Sequence, residues 1–340
     1  MLTGIRKMVM KNIPDPVLKN DDDVLIKMSV VGVCGSDIHY YVAGRIGSQV
    51  VQYPFPVGHE GAGIVVKTGR SVTRVKTGDR IAIEPAMPCW ECDQCKAGRH
   101  HTCRKLRFLG CPGQADGCLT EYIVMPETSC IKIDDNLSLD EAVISEPLAI
   151  GVYAVKKSIP LRGARIGILG SGPIGMSVLL AAKAEGCEYI YMTDKLDGRL
   201  KVVKKAGATY TGNVDKQEVV NDILKLEPLM LDAVFECCGQ QEAFEQAFEL
   251  LKPGGKLVIV GIPEFDFWKV PADLARRKEI TIQNIRRQVD CTEDALHSMA
   301  TGKIDVSLMT THRFSFSDTP RAFDMVAGYE DGVMKAMIEF

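Results

Sequence analysis

Gly170-Ser171-Gly172-Pro173-Ile174-Gly175 stands between an apolar run, Ala164-Arg165-Ile166-Gly167-Ile168-Leu169, and a helix-forming stretch over 176–185. Few patterns restrict a fold as tightly. A second apolar run, Tyr189-Ile190-Tyr191-Met192-Thr193, ends at Asp194, 24 positions after the first glycine. A strand, a glycine turn, a helix and a strand closed by an acid together form the sequence fingerprint of a dinucleotide-binding βαβ unit. The glycines let the backbone approach a pyrophosphate at the helix N-terminus, and Asp194 is placed to accept from both ribose hydroxyls. A carboxylate there repels a 2′-phosphate, which favours NAD over NADP, although Lys195 and Arg199 follow closely. Ile174 and Arg199 are assigned to the cofactor site with Gly170, Gly172, Gly175 and Asp194.

The alternation of strand and helix continues beyond that unit. Helices are expected over 198–206, 216–226 and 241–251, and strands over 232–237, 256–260 and 280–285, with Lys252-Pro253-Gly254-Gly255 as a turn. This texture predicts a doubly wound parallel sheet over 150–286. Ligands of such sheets sit beyond the carboxyl ends of the strands, which places Cys237-Cys238-Gly239, Val260-Gly261-Ile262 and Ile285 at the cofactor crevice.

The first 149 residues read differently. Short β-branched runs over 24–28, 63–67, 80–83, 119–124 and 130–133, separated by Gly, Pro and Asp, predict a β-rich, barrel-like domain. The last part of the chain, 287–340, returns to that domain. Ser138 and Glu141 form a capping box that opens a helix, which Pro147 is expected to interrupt.

Two groups of soft ligands lie in this β-rich part. Cys89, Cys92, Cys95 and Cys103 fall within fifteen residues, two of the gaps holding two residues each. Four thiolates can close a tetrahedral zinc shell with no position left open, so this ion is structural. Unliganded thiols crowded on a surface loop would be an oxidation hazard. The second group is Cys34 in Val33-Cys34-Gly35-Ser36-Asp37-Ile38-His39 and His59 in Gly58-His59-Glu60, bracketing a Gly/Pro-punctuated loop. A thiolate and an imidazole suit a catalytic zinc that keeps one position for substrate. Glu60, Asp37 and Glu146 are the acids available, one as a ligand and another to orient the imidazole. Taken alone, a cysteine and a histidine are more often a buried apolar thiol and an ordinary histidine.

Composition excludes several classes. With 340 residues, 46% apolar and 25% charged, the chain is an ordinary globular protein with more than one core. A net charge of −3 leaves no basic footprint for nucleic acid or an anionic membrane, so the expected partner is a small molecule. The uncharged stretch over 166–182 is too short for a membrane span. Twelve cysteines with no signal-like N-terminus point to reduced thiols and a cytoplasmic setting.

At this point the chain resembles, over nearly its whole length, the zinc-dependent medium-chain dehydrogenases/reductases, and among them the polyol dehydrogenases of the sorbitol, iditol and xylitol type. Gly58-His59-Glu60-Gly61-Ala62-Gly63 with Gly69 and Val72, Cys34-Gly35-Ser36-Asp37 and the four clustered cysteines carry the family likeness. His39-Tyr40-Tyr41, Gly44-Arg45-Ile46-Gly47, Glu84-Pro85, Glu146-Pro147-Leu148 and Arg287 carry the subclass, while Gln288 stands where sorbitol dehydrogenases commonly show tyrosine. The resemblance implies a GroES-like catalytic domain, a Rossmann domain, an active site in the cleft between them, and a homotetramer or dimer. It further implies that Glu60 ligates zinc or moves on and off it, that Glu146 approaches the metal site, and that Tyr40 and Arg287 contact substrate.

The expected reaction is oxidation of a polyol to its ketose. Zinc lowers the pKa of the alcohol, Ser36 and His39 or a water held by Glu146 carry the proton away, and the carbinol hydrogen leaves as hydride to NAD. Two other readings are compatible with parts of the sequence. One is a zinc dehydrogenase of threonine, a sugar phosphate or a simple secondary alcohol. The other is a non-catalytic protein whose cysteine loop is a nucleic-acid-binding knuckle, which the acidic balance disfavours.

Overall fold

The computed structural model describes all 340 residues. Residue contacts divide the chain into two compact units. One comprises Met1–Glu146, Thr292–Gly302 and Thr310–Phe340; the other comprises Pro147–Cys291 and Lys303–Met309. Periodicity gives no sign that the short 303–309 segment groups with the second unit.

The first unit is built on a seven-stranded sheet. Its path runs Cys130–Lys132, Arg80–Ile83, Glu60–Thr68, Asp23–Gly32, Lys335–Glu339 and Thr310–Ser315, and Tyr122–Pro126 also pairs with Asp23–Gly32. Every pairing is antiparallel except the last along that path. The strand Asp23–Gly32 shows why it sits at the centre. Val24, Ile26 and Met28 face a core that also holds Val65, Ile81, Ile83, Met125 and Ile338, while Lys27 points to solvent. At Val30-Val31-Gly32 the alternation ends and every residue is buried, which marks where the sheet is covered on both faces.

The second unit holds a six-stranded parallel sheet ordered Tyr210–Asn213, Tyr189–Asp194, Arg165–Leu169, Leu231–Glu236, Leu251–Ile259, Thr281–Asn284. Numbered within the unit, that is the 3-2-1-4-5-6 order of a Rossmann fold. Ile166, Ile168, Val234, Phe235 and Leu257 are fully buried. Phe244, on the helix Gln241–Leu250, stacks on Trp268 at 4.5 Å and covers one face of this core.

Local structure departs from the sequence reading at three places. The Cys34-to-His59 stretch contains a helix, Gly35–Ala43, closed by Gly44 in the left-handed region at φ 68°. Pro147 does not stop its helix, which runs Leu139–Lys156 after the expected Ser138–Glu141 box, with Ser138 N donating to Glu141 Oε2 at 2.7 Å. A helical proline forfeits a hydrogen bond at roughly 3 kcal/mol. Complete burial of Val143, Ile144, Leu148 and Ala149 on either side outweighs it. The Lys252-Pro253-Gly254-Gly255 segment is a bulge inside the strand Leu251–Ile259, whose register against Leu231–Glu236 slips there, instead of a turn before it.

Candidate active site

Cys34 is the N-cap of the helix Gly35–Ala43, and Asp37 lies in that helix's first turn. The Asp37 carboxylate is fully buried and joins both motifs. Its Oδ2 accepts from the Cys34 amide at 3.2 Å, and its Oδ1 accepts from the Gly58 amide at 3.2 Å and lies 3.6 Å from His59 Nδ1. With Nδ1 turned to Asp37, Nε2 is the nitrogen left for a metal. Ser36 Oγ donates to Cys34 Sγ at 3.4 Å. The Phe108 ring packs 5.5 Å from the imidazole and walls the site on that side.

Glu60 opens the strand Glu60–Thr68 opposite Gly32. A β-carbon at Gly32 would overlap Glu60 Oε2, so glycine is what leaves the carboxylate room beside its neighbouring strand. From there it meets Lys335 at the start of Lys335–Glu339. Lys335 Nζ donates to Oε1 at 2.7 Å, to Oε2 at 2.6 Å and to the Val33 carbonyl at 3.2 Å, which uses all three ammonium protons. Both side chains are buried, Lys335 at 1% exposure and Glu60 at 0%. Burial by itself would pull the ammonium pKa down, but Glu60, Cys34 and Glu146 hold it above the usual lysine range.

The donor atoms of Cys34, His59 and Glu60 lie within 4.8 Å of one another. This donor set suits three protein ligands around a zinc with bonds of about 2.0–2.3 Å, and Glu60 retains lone pairs that Lys335 does not occupy. Glu146 is not in that set but stands within its field. Burial pushes its carboxyl up to about 7, with His59 and Lys335 pulling down and Glu60 and Glu84 pushing up. His39 and Tyr40 share the helix with Ser36. The Tyr40 hydroxyl is buried, 3.5 Å from Gln49 Oε1 and 3.9 Å from Cys111 Sγ. Arg287 belongs to the second unit and has φ 53°, and the adjacent Gln288 is buried with its Oε1 accepting from the Cys291 amide at 2.9 Å.

The four-cysteine loop has the form of an ion cage. Sulfur separations are 3.4 Å for Cys103 to Cys89, 3.6 Å for Cys92 to Cys95, 3.9 Å for Cys92 to Cys103 and 4.0 Å for Cys89 to Cys95. Zinc–sulfur bonds of about 2.3 Å make tetrahedral edges of roughly 3.8 Å, so the thiols match the ion. Backbone amides of Arg104 and Cys95 lower the Cys92 thiol to about 6. The loop is fastened by Arg104, which donates to Asp93 through Nε at 2.5 Å and Nη2 at 2.9 Å.

In the second unit the glycine turn is closed as the motif requires. Gly170 has φ 103°, and a β-carbon at Gly175 would overlap the Gly170 carbonyl oxygen. The Asp194 carboxylate reaches back to the turn, Oδ2 accepting from the Ser171 amide at 2.6 Å and Oδ1 from the Leu196 amide at 2.9 Å. Ile174 lies in the first turn of the helix Pro173–Ala184, and Arg199 brings its guanidinium beside Gly172, 3.2 Å from where a β-carbon would stand. Behind them sits Glu236, fully buried. Its Oε1 accepts from the Cys238 amide at 2.9 Å and the Gly239 amide at 2.6 Å, and its carbonyl accepts from Val260 at 2.8 Å and Gly261 at 2.9 Å. One residue thus ties the 237–239 and 260–262 loops, while the Ile285 amide bonds to the Ile259 carbonyl at 2.8 Å. The cradle fits a dinucleotide.

Family models match both parts of the chain, an alcohol dehydrogenase GroES-like domain over residues 20–135 and a zinc-binding dehydrogenase over residues 173–301. A sorbitol dehydrogenase of Bacillus subtilis is 35% identical, the match covering 99% of this chain and 96% of the relative. The chain belongs to the zinc-dependent medium-chain dehydrogenases/reductases. A probable D-xylulose reductase A of Aspergillus fumigatus is also 35% identical, over 96% of this chain and 92% of that one. A solved zinc-binding dehydrogenase of Sinorhizobium meliloti, described as bound to NADP, superposes with a TM-score of 0.90 at 28% identity, covering 99% of this chain and 97% of that one.

As a medium-chain dehydrogenase the chain uses zinc and a nicotinamide dinucleotide, NAD being typical of the family. Asp194→Ala is expected to raise the ratio of kcat/KM with NADP to that with NAD on the order of tenfold, because the carboxylate that repels a 2′-phosphate is removed. Initial rates with both cofactors measure this, and an unchanged ratio would discredit the ribose role. Two groups escape the sequence reading. Glu236 carries no motif. Lys335 had a visible signal, a single charge inside Val333-Met334-Lys335-Ala336-Met337-Ile338, but a partner 275 positions away cannot be read from periodicity.

Proposed function

We propose that this chain oxidises open-chain polyols to ketoses with NAD, working as a cytoplasmic homo-oligomer. The observation that carries the reading is the ligand set Cys34, His59 and Glu60, with buried Glu146 in its field, in a chain whose relatives include a sorbitol dehydrogenase. Cys34, His59 and Glu60 would hold the zinc, which would lower the pKa of an alcohol bound there, and the Gly170–Gly175 turn with Asp194 would hold NAD, which would supply the hydride acceptor.

This chain's residues do the rest. Asp37, 3.6 Å from His59 Nδ1, would leave Nε2 as the nitrogen that holds the zinc. Lys335 neutralises Glu60, so the carboxylate can stay ionised in a buried site as a third donor. Ser36, against the Cys34 sulfur, and His39 on the same helix take the alcohol proton toward solvent, with Glu146 as the alternative acceptor. Tyr40 and Arg287 contact the substrate hydroxyls, and Asp194 with Arg199 holds the adenosine ribose. Self-association is supported by the edge strand Thr281–Asn284, where Ile282 is exposed, and by the outward-facing Phe267 and Val270 nearby in sequence. No helix is long and apolar enough to cross a membrane.

A panel of pentitols, hexitols, L-threonine, a sugar phosphate and 2-propanol, read as NADH formed, tests the assignment. Pentitols and hexitols are expected to give the highest kcat/KM. Preference for threonine, the phosphate or the simple alcohol would replace polyol by that substrate.

A further inference from the structure

In the second unit the strands Arg165–Leu169 and Leu231–Glu236 lie side by side where the order of the parallel sheet reverses, with Glu236 in register with Leu169. Ligands of a doubly wound sheet bind at that point, beyond the carboxyl ends of the strands. Glu236 is 0% exposed there, a costly place for a carboxyl group. Its Oε1 is shared by the Cys238 and Gly239 amides and by the Cys238 thiol at 3.2 Å, and its Oε2 has no hydrogen-bond partner. Burial pushes its pKa up, against the pull of the Cys238 thiol and the amides of Cys238, Gly239 and Gln240, all neutral donors. An apolar strand end would be cheaper for folding alone, and rules of this kind are broken at functional sites.

Three segments meet around this side chain with no slack between them. The Glu236 carboxyl holds the 237–239 loop while its carbonyl holds Val260 and Gly261. A β-carbon on Gly261 would stand 2.6 Å from Glu236 Oε2 and overlap the Gly239 amide nitrogen, and one on Gly239, at φ 69°, would overlap the Ile262 carbonyl oxygen. On its other side the 237–239 loop meets the glycine turn: a β-carbon on Gly170 would stand 2.9 Å from Cys238 Cβ, and the Cys237 amide donates to the Leu169 carbonyl at 2.8 Å. Cys238 and Ile262 are the exposed side chains of the two tied loops. A Rossmann sheet takes one mononucleotide on each half. Asp194 ends a strand of the adenosine half, whereas Glu236 ends the first strand of the other half and 260–262 follows the next. The loops that Glu236 ties therefore belong to the nicotinamide half.

We propose that Glu236 is a positioning residue for the nicotinamide half of the cofactor, which it does not touch: it holds the 237–239 and 260–262 loops in the one arrangement that receives the dinucleotide. Loops that are already ordered need not be ordered by the ligand, so the clamp is felt as affinity. The adenosine half is held at Asp194 and does not need it. The inference concerns the dinucleotide alone and is independent of which alcohol is oxidised.

Calorimetric titration of the zinc-loaded protein with NAD and, separately, with AMP tests this. Glu236→Ala frees both loops and is expected to raise the dissociation constant for NAD by about tenfold or more, while that for AMP stays within about twofold of wild type. Glu236→Gln keeps an oxygen for the Cys238 and Gly239 amides and is expected to restore NAD binding to within about threefold. Gly261→Ala presses on Glu236 Oε2 from the neighbouring loop, at a residue that is not fully buried, and is expected to weaken NAD by about fivefold. Unchanged NAD affinity in Glu236→Ala overturns the proposal, and if that variant does not fold, unchanged NAD affinity in Gly261→Ala does so. Equal loss of NAD and AMP overturns it as well, because the damage would then be to the whole unit. A Glu236→Gln variant as weak as Glu236→Ala overturns the clamp in favour of the charge.

Discussion

Cys34→Ser is expected to lower turnover by more than about a hundredfold while the far-ultraviolet circular dichroism stays unchanged. Loss of groups that merely orient a metal ligand already costs about 10–100-fold, and this exchange removes a soft ligand outright. Cys34 sits at a helix N-cap, partly exposed, so a serine of nearly the same shape can occupy the position without opening a cavity. Zinc content should fall from about two per chain to about one. The same exchange at Cys95 should remove the other ion and act mainly on the melting temperature, because that loop has little apolar content to hold it closed. Turnover surviving in Cys34→Ser and lost in Cys95→Ser would reverse the division between the two clusters.

In metal-depleted protein, where no zinc shares the Glu60 carboxylate, Lys335→Met should destabilise the first unit by roughly 3–5 kcal/mol, the usual consequence of removing one partner of a buried ion pair. Methionine fills the space, so the loss would come from Glu60, a carboxylate with no solvent access, and not from a void. The double change Lys335→Met with Glu60→Gln should recover more than half of it, since a neutral amide in that place needs no counter-charge. Denaturant titration monitored in the first unit, for example through Trp90, measures both. A single variant that unfolds at the wild-type midpoint would show that Glu60 has another partner.

These two sites show how legibility divides. The cysteine cage was readable because its four sulfurs come from one short loop, so that spacing and geometry are nearly the same information. The glycine turn and Asp194 were readable for a similar reason: a βαβ unit is local, and its acid returns to the turn by the repeat of the fold itself. The Ser138–Glu141 box is local too, and it forms as written. Pro147 misled because a local penalty of a few kcal/mol was outweighed by apolar burial that no short window reveals. The helix Gly35–Ala43 was missed because it is short and opens on Gly-Ser-Asp, residues that read equally well as a turn.

What the sequence settled unaided is the kind of chemistry: soft donors in two groups, a dinucleotide turn, and two textures that demand two separate cores. Which donors meet was decided only in three dimensions. Cys34, His59 and Glu60 converge because Asp37 holds two distant backbone amides at once, and Glu60 keeps its place because Gly32 makes room and Lys335 neutralises it. Those contacts join residues from opposite ends of the chain through strand pairing. Pairing partners are chosen by the burial of whole faces, a property of the assembled sheet that no stretch of sequence carries by itself.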